Sequence, residues 1–94
     1  MDDMLTPAEA RRLLSKIMRD GGQIIITGHA RHEMLADQIE EIRLFEVLRY
    51  GQIYEAAEYE REAWRYRVHR ADLCVVVEFD EETAAVVITT WRKL

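Results

Sequence analysis

Arg65, Arg67 and His69 recur at every second position near the middle of the chain. In an extended strand alternate side chains share a face, so the three project side by side. Guanidinium forks hold phosphate bidentately, and an imidazole passes a proton near neutral pH. Metal-free cleavage of RNA needs that combination: a base for the 2′-hydroxyl, an acid for the leaving oxygen, and cations for the charge that builds on phosphorus. His29 is a second acid/base candidate, placed near a helix N-terminus where backbone N–H groups favour anions. His29, His69 and Arg67 are therefore the catalytic candidates. Arg65, Arg31 and Thr89 are candidates for substrate binding, with Trp91 for stacking on a base.

Each has a plainer reading. Arg65 falls opposite Glu78, so the row also fits a solvated strand face with a cross-strand ion pair. His29 also fits an anchor of the helix start to a backbone carbonyl. His29, His32 and Glu33 fall at i, i+3 and i+4 on one side of a helix. The order His-x-x-His-Glu matches neither usual zincin order, so no metal site and no cofactor is expected. Cys74 stands among valines and reads as a small buried hydrophobe. The register puts His69 directly opposite it, which leaves a Cys–His pair open.

The elements that position these residues follow from local signals. Thr6-Pro7-Ala8-Glu9 reads as N-cap, first-turn proline and capping-box glutamate. Ala10, Leu13, Leu14 and Ile17 continue at helical spacing, and Asp20-Gly21-Gly22 ends the run. Ile24-Ile25-Ile26-Thr27 reads as a brief strand, and a short helix runs from Gly28 to about Ala36 with Ala30 and Met34 inward. Asp37 with Glu40 reads as the N-cap of a further helix carrying an Ile42, Phe45, Leu48 stripe, stopped at Gly51.

From Ile53 the period changes to that of strands. Ile53–Tyr59, Trp64–His69, Leu73–Phe79 and Ala85–Trp91 read as four strands, the last three an antiparallel meander with tight connections. Two-residue loops at Ala71-Asp72 and Glu81-Glu82 collect Trp64, Tyr66, Val68, Val75, Val77, Phe79, Val86 and Ile88 on one face. The other face then carries Arg65, Arg67, His69, Cys74, Val76, Glu78, Ala85, Val87, Thr89 and Trp91. The apolar face needs cover, and the amphipathic helices supply it. The expected fold is α+β: two to three N-terminal helices on one face of an antiparallel sheet of about four strands.

Composition sets the outer limits. Ninety-four residues, 49% hydrophobic and 33% charged with one proline, fit a single folded domain over 1–94, the N-terminal helix occupying 1–22. No apolar run reaches the roughly 20 residues of a spanning helix, and no signal-peptide pattern opens the chain, so a cytoplasmic protein without a membrane partner is expected. One cysteine excludes an internal disulfide. With 13 basic against 18 acidic side chains the net charge is −5, which does not support broad attraction to nucleic acid. Residues 61–70 nevertheless hold four arginines against one glutamate, so a basic patch, if present, is local.

The order helix, short strand, two helices and antiparallel sheet resembles the architecture of RelE-type toxins. Thr27-Gly28-His29-Ala30-Arg31-His32-Glu33-Met34, the helix Ile39–Tyr50, and the valine-rich Val75-Val76-Val77 and Val86-Val87-Ile88-Thr89-Thr90-Trp91 resemble a bacterial domain of unknown function, number four-two-five-eight, over about residues 23–92. That family is similar to ribonuclease-like toxins of the RelE and colicin type, and its members often stand beside a zinc-finger antitoxin. The resemblance implies an RNA-cleaving toxin restrained by an antitoxin protein. The alternative is a non-catalytic binding or regulatory module that uses the same sheet face, with Val76, Val87 and Trp91 central, or an Ile53–Tyr59 edge strand. A homodimer on either surface also hides apolar area.

Overall fold

The computed structural model describes residues 3–94. The capping box forms: the Glu9 N–H donates to the Thr6 hydroxyl at 3.2 Å and the Thr6 N–H to the Glu9 carboxylate at 2.9 Å. Two orphan donors are thereby satisfied at the start of α1 (Pro7–Arg19). Gly21, at φ +70, turns the chain out of the helix, and the Gly22 N–H closes back on the Ile17 carbonyl at 2.8 Å. Strand β1 (Gln23–Ile26) follows, then α2 (Gly28–Ala36) and α3 (Glu41–Tyr50). Strands β2 (Glu58–Glu60), β3 (Ala63–Arg70), β4 (Leu73–Phe79) and β5 (Ala84–Arg92) complete the chain.

The fold is α+β as expected, with five strands rather than about four. The order is β1-β5-β4-β3-β2; β1 runs parallel to β5 and the other neighbours are antiparallel. The added strand is the Ile24–Ile26 run, which pairs along β5 instead of standing alone. Most of the expected Ile53–Tyr59 strand is irregular: only Glu58–Glu60 is extended in the sheet, and Gln52 makes an isolated bridge to His69.

Two helix assignments shift. Asp37 does not start α3; it caps the end of α2, where Gln38 adopts φ +55 and the Ile39 N–H reaches the Met34 carbonyl at 2.8 Å. A left-handed residue followed by that long-reach bond ends a helix, so the start of α3 falls to Glu40. The buried stripe of α3 is then Leu44, Val47 and Leu48; Ile42 is exposed and Phe45 half-buried. Gly51 ends α3 because the chain passes close to its neighbours: a Cβ there would lie 2.5 Å from the Val47 carbonyl oxygen and 2.9 Å from that of His69.

The β3–β4 register is as expected, with Val68 opposite Val75 and His69 opposite Cys74 across the Ala71-Asp72 turn. The β4–β5 register is not. The Asp80 N–H bonds the Ala84 carbonyl, so the loop is three residues long, and Glu81 takes φ +66. One extra loop residue slides β5 by one, which turns each of its side chains to the opposite face. Ala85 and Val87 are accordingly in the core, and Val86 and Ile88 are half-buried on the other side. A β-bulge then restores the expected facing: Val77 pairs with Val87 but Val76 with Thr89, leaving Ile88 as the extra residue. Thr89 and Trp91 therefore lie with Arg65, Arg67 and His69, while Thr90 turns into the core and donates to the Cys74 carbonyl at 2.8 Å.

The core is one cluster. Ala10, Leu14 and Ile17 of α1, Ala30 and Met34 of α2, and the α3 stripe cover Tyr66, Val68, Val75, Val77, Phe79, Ala85 and Val87. Arg11 bridges two helices, donating to the Leu48 carbonyl at 2.6 Å and the Gly51 carbonyl at 2.5 Å, where the last carbonyls of α3 lack helical partners. No helix among the described residues is long and apolar enough to cross a membrane.

Candidate functional site

The sheet face away from the helices carries Arg65, Arg67, His69, Thr89 and Trp91, and the bulge in β5 builds one end of it. Thr27 accepts the Ala30 N–H at 3.1 Å as N-cap of α2 and donates its own hydroxyl to the carbonyl of the bulged Ile88 at 3.2 Å. Its N–H meets the Val87 carbonyl at 3.2 Å. These bonds pin the start of α2 to β5 and set the exposed His29 at the rim of a cleft of about 400 Å³. Thr27, Glu60, Arg61, Arg65, Ile88 and Thr89 line the rest of that cleft. A second hollow of about 110 Å³ shares Glu60, Arg65 and Thr89 with it and adds Arg67, Val76, Glu58 and Trp91. The two form one groove across β3 and β5.

The arginines of the groove are already engaged. Arg65 Nε donates to Glu78 at 2.9 Å and its Nη1 to Glu60 at 3.2 Å. The cross-strand partner expected from the register is thus present. Arg67 meets Glu58 at 3.0 Å and Glu55 at 3.6 Å, and its guanidinium lies over the Trp91 ring at 5.7 Å. Glu58 and Glu60 are more than half exposed, so water or an incoming anion reaches these pairs.

His69 stands apart. It is four residues beyond Arg65 on β3, roughly 13 Å along the strand, and opens to a different cavity of about 300 Å³. Its Nε2 meets Glu55 Oε1 at 2.5 Å and its Nδ1 meets Lys93 Nζ at 3.3 Å. An ammonium only donates and a carboxylate only accepts, which assigns Nδ1 as acceptor and Nε2 as donor. His29 and His69 therefore share no cavity. Arg31 is also outside the groove, exposed and 3.7 Å from Glu41. Val87, expected at the centre of a sheet-face interface, is in the core and unavailable.

Cys74 is fully buried, and burial pushes its thiol up to about 11, which favours the protonated thiol over the nucleophilic thiolate at neutral pH. Among the described residues no group of three or more His, Cys, Asp or Glu is placed to hold a metal ion.

The sequence does not single out Arg61, Thr27, Glu58 or Glu60 as site residues, whereas it does place Glu78 opposite Arg65. Thr27-Gly28-His29-Ala30 carried a signal in its capping threonine. Glu58 and Glu60 carried one in their period-two spacing, which matches that of Arg65 and Arg67 across a hairpin.

Comparison with curated proteins and with solved structures finds no match to this chain. A family profile matches residues 26–92, from the end of β1 through β5. The match thus covers every groove residue named above, and the chain belongs to the family described as Domain of unknown function (DUF4258).

Proposed function

We propose that the chain is a RelE-like toxin-type domain, a cytoplasmic, metal-independent endoribonuclease held in check by an antitoxin protein. The observation that carries this reading is the cleft that gathers His29, Arg61, Arg65 and Thr89 beside Trp91. An RNA phosphate takes the place of glutamate on the Arg65 and Arg67 guanidinium groups, with the Thr89 hydroxyl as a further donor and Trp91 as a stacking surface for a base. His29 takes the proton of the 2′-hydroxyl. The 2′-oxygen bonds to phosphorus as the bond to the 5′-oxygen breaks, and solvent water protonates the leaving oxygen. The products are a cyclic phosphate and a 5′-hydroxyl. Positioned cations stabilise the charge that develops on phosphorus.

A labelled RNA incubated with the purified chain in the presence of a chelator tests this. Cleavage is expected, lost with His29→Ala and with a substrate carrying a 2′-deoxy sugar at the cut. Absence of cleavage by the intact chain overturns it.

One observation favours the rival, a non-catalytic protein-binding module on the same face: the chain's own glutamates already neutralise Arg65 and Arg67. In that case the groove binds a protein segment, or a second copy of the chain, and RNA neither binds nor is cut.

A further inference from the structure

We propose that the cavity beside His69 is a separate binding site for a nucleotide unit, its base stacked on Tyr54 and its phosphate held by Arg70 and Lys93. The cavity, about 300 Å³, is lined by Tyr50, Gln52, Tyr54, His69, Arg70 and Lys93 with Ala71 at the turn, and shares no residue with the RNA groove. The inference therefore stands whether or not that groove takes RNA.

Charge distinguishes the two places. Arg65 and Arg67 each hold two glutamates, whereas Arg70 and Lys93 pair with no carboxylate among the described residues. Glu55, the acid beside the cavity, is engaged by His69 Nε2 and by Arg67. Two cations at the edge of a hollow, without carboxylates to satisfy them, suit a phosphate. Arg70 is held in place by its position over the Tyr50 ring, 5.3 Å from the centroid.

The aromatic half is assembled in advance. Reciprocal backbone bonds of 2.8 Å tie Gln52 to His69 and fix the segment that carries Tyr54. Glu55 and Lys93 hold the imidazole at both nitrogens. Tyr54 stacks on it with ring centroids 4.7 Å apart and planes 18° from parallel, yet remains 63% exposed. One face of the tyrosine is thus used and the ring is largely open to solvent. A base laid on that open side becomes the third layer of a stack whose first two are rigid, with little ordering cost left to meet. The exposed Gln52 amide offers a donor and an acceptor to the base edge. A bare phosphate uses only the cations and a bare nucleoside only the stack, so the arrangement selects a ligand that brings both.

Backbone-amide NMR titration of the intact chain with adenosine monophosphate, uridine monophosphate, adenosine and inorganic phosphate tests the site. A nucleotide is expected to shift Gln52, Tyr54, Arg70 and Lys93. Arg70→Ala/Lys93→Ala and, separately, Tyr54→Ala are each expected to weaken it roughly tenfold; Tyr54 and Arg70 are exposed and Lys93 half-buried, and unchanged spectra elsewhere verify the fold. Inorganic phosphate that binds as tightly as the nucleotide, shifts confined to the groove around Arg65 and Thr89, or variants that bind like the parent would each overturn the proposal. An Arg65→Ala arm separates the sources. An oligonucleotide whose shifts at this cavity persist in Arg65→Ala points to a nucleotide held here alone, and one whose shifts vanish points to a unit of an RNA chain that also occupies the groove.

Discussion

Glu58 and Glu60 line the groove and pair with its arginines, so replacing both by glutamine should tighten RNA binding by a calculable amount. Glu58 holds Arg67 at 3.0 Å and Glu60 holds Arg65 at 3.2 Å, and both carboxylates are more than half exposed. Pairs of that kind contribute about 0.5 kcal/mol each, so releasing two guanidinium groups costs an entering phosphate about 1 kcal/mol. The phosphate also meets two carboxylates at about 6 Å, each worth about 0.7 kcal/mol of repulsion at the dielectric of water. Screening at physiological salt removes about half of that, leaving about 0.7 kcal/mol for the two. The total of about 1.7 kcal/mol corresponds to roughly fifteenfold in affinity. Fluorescence anisotropy of a labelled single-stranded RNA at about 0.15 M salt reads it directly. Glu40→Gln/Glu82→Gln makes the same change in net charge at exposed positions that pair with no cation among the described residues, and should move the affinity less than twofold. Equal gains in the two double variants would mean that only net charge matters. No gain in Glu58→Gln/Glu60→Gln would mean that these glutamates do not occupy the phosphate path.

Two predictions concern stability. Thr6→Ala removes the acceptor of the Glu9 N–H at the start of α1 and should cost about 1 kcal/mol, lowering Tm by roughly 4–8 °C; an unchanged thermal transition would show that α1 needs no cap. Asp72 is held below the usual carboxylate range chiefly by the hydrogen bond from Arg92, with Arg43 adding to it. A depressed carboxyl stabilises the fold above its unfolded value of about 3.9 and loses that contribution as pH falls through the lower folded value. Asp72→Asn should therefore destabilise the chain in urea unfolding at neutral pH, and the difference from the parent should shrink as pH falls below the unfolded value and through the lower folded one. A difference that persists in acid would assign the role of Asp72 to packing.

How much of the fold can be read in advance depends on how local the deciding interaction is. The capping box of α1 lies within four residues, and its bonds form as the residue types require. The β3–β4 register rests on one tight turn, Ala71-Asp72, and holds through His69 and Cys74. The β4–β5 register depends on whether a glutamate-rich loop has two or three residues, and no residue type in Asp80–Thr83 decides that. The bulge at Ile88 is also invisible in sequence, because it is stabilised by Thr27, sixty-one positions away. The placement of β1 beside β5 is a long-range pairing of the same kind.

The charges of the site show the same division. Alternation along β3 correctly puts Arg65, Arg67 and His69 on one face, since side-chain period is a property of the strand alone. Counting charges over residues 61–70 suggests a basic patch, because the carboxylates that meet Arg65 and Arg67 come from outside that window. Glu55, Glu58 and Glu60 arrive from before the β2–β3 turn and Glu78 from the next strand. What a window cannot assign is a cation's partner across a hairpin, and the partner decides its chemistry. Arg65 and Arg67 are each held by two glutamates, so an anion proposed to bind there must compete with them. Arg70 lies over the Tyr50 ring and Lys93 meets His69 Nδ1, and neither pairs with a carboxylate among the described residues. The two ends of one sheet face thus differ in what they ask of a ligand. RNA binding at the groove should rise when Glu58 and Glu60 are neutralised, whereas nucleotide binding beside Tyr54 should be indifferent to the same substitutions. If both sites responded alike, the separation drawn from the ion pairs would be lost.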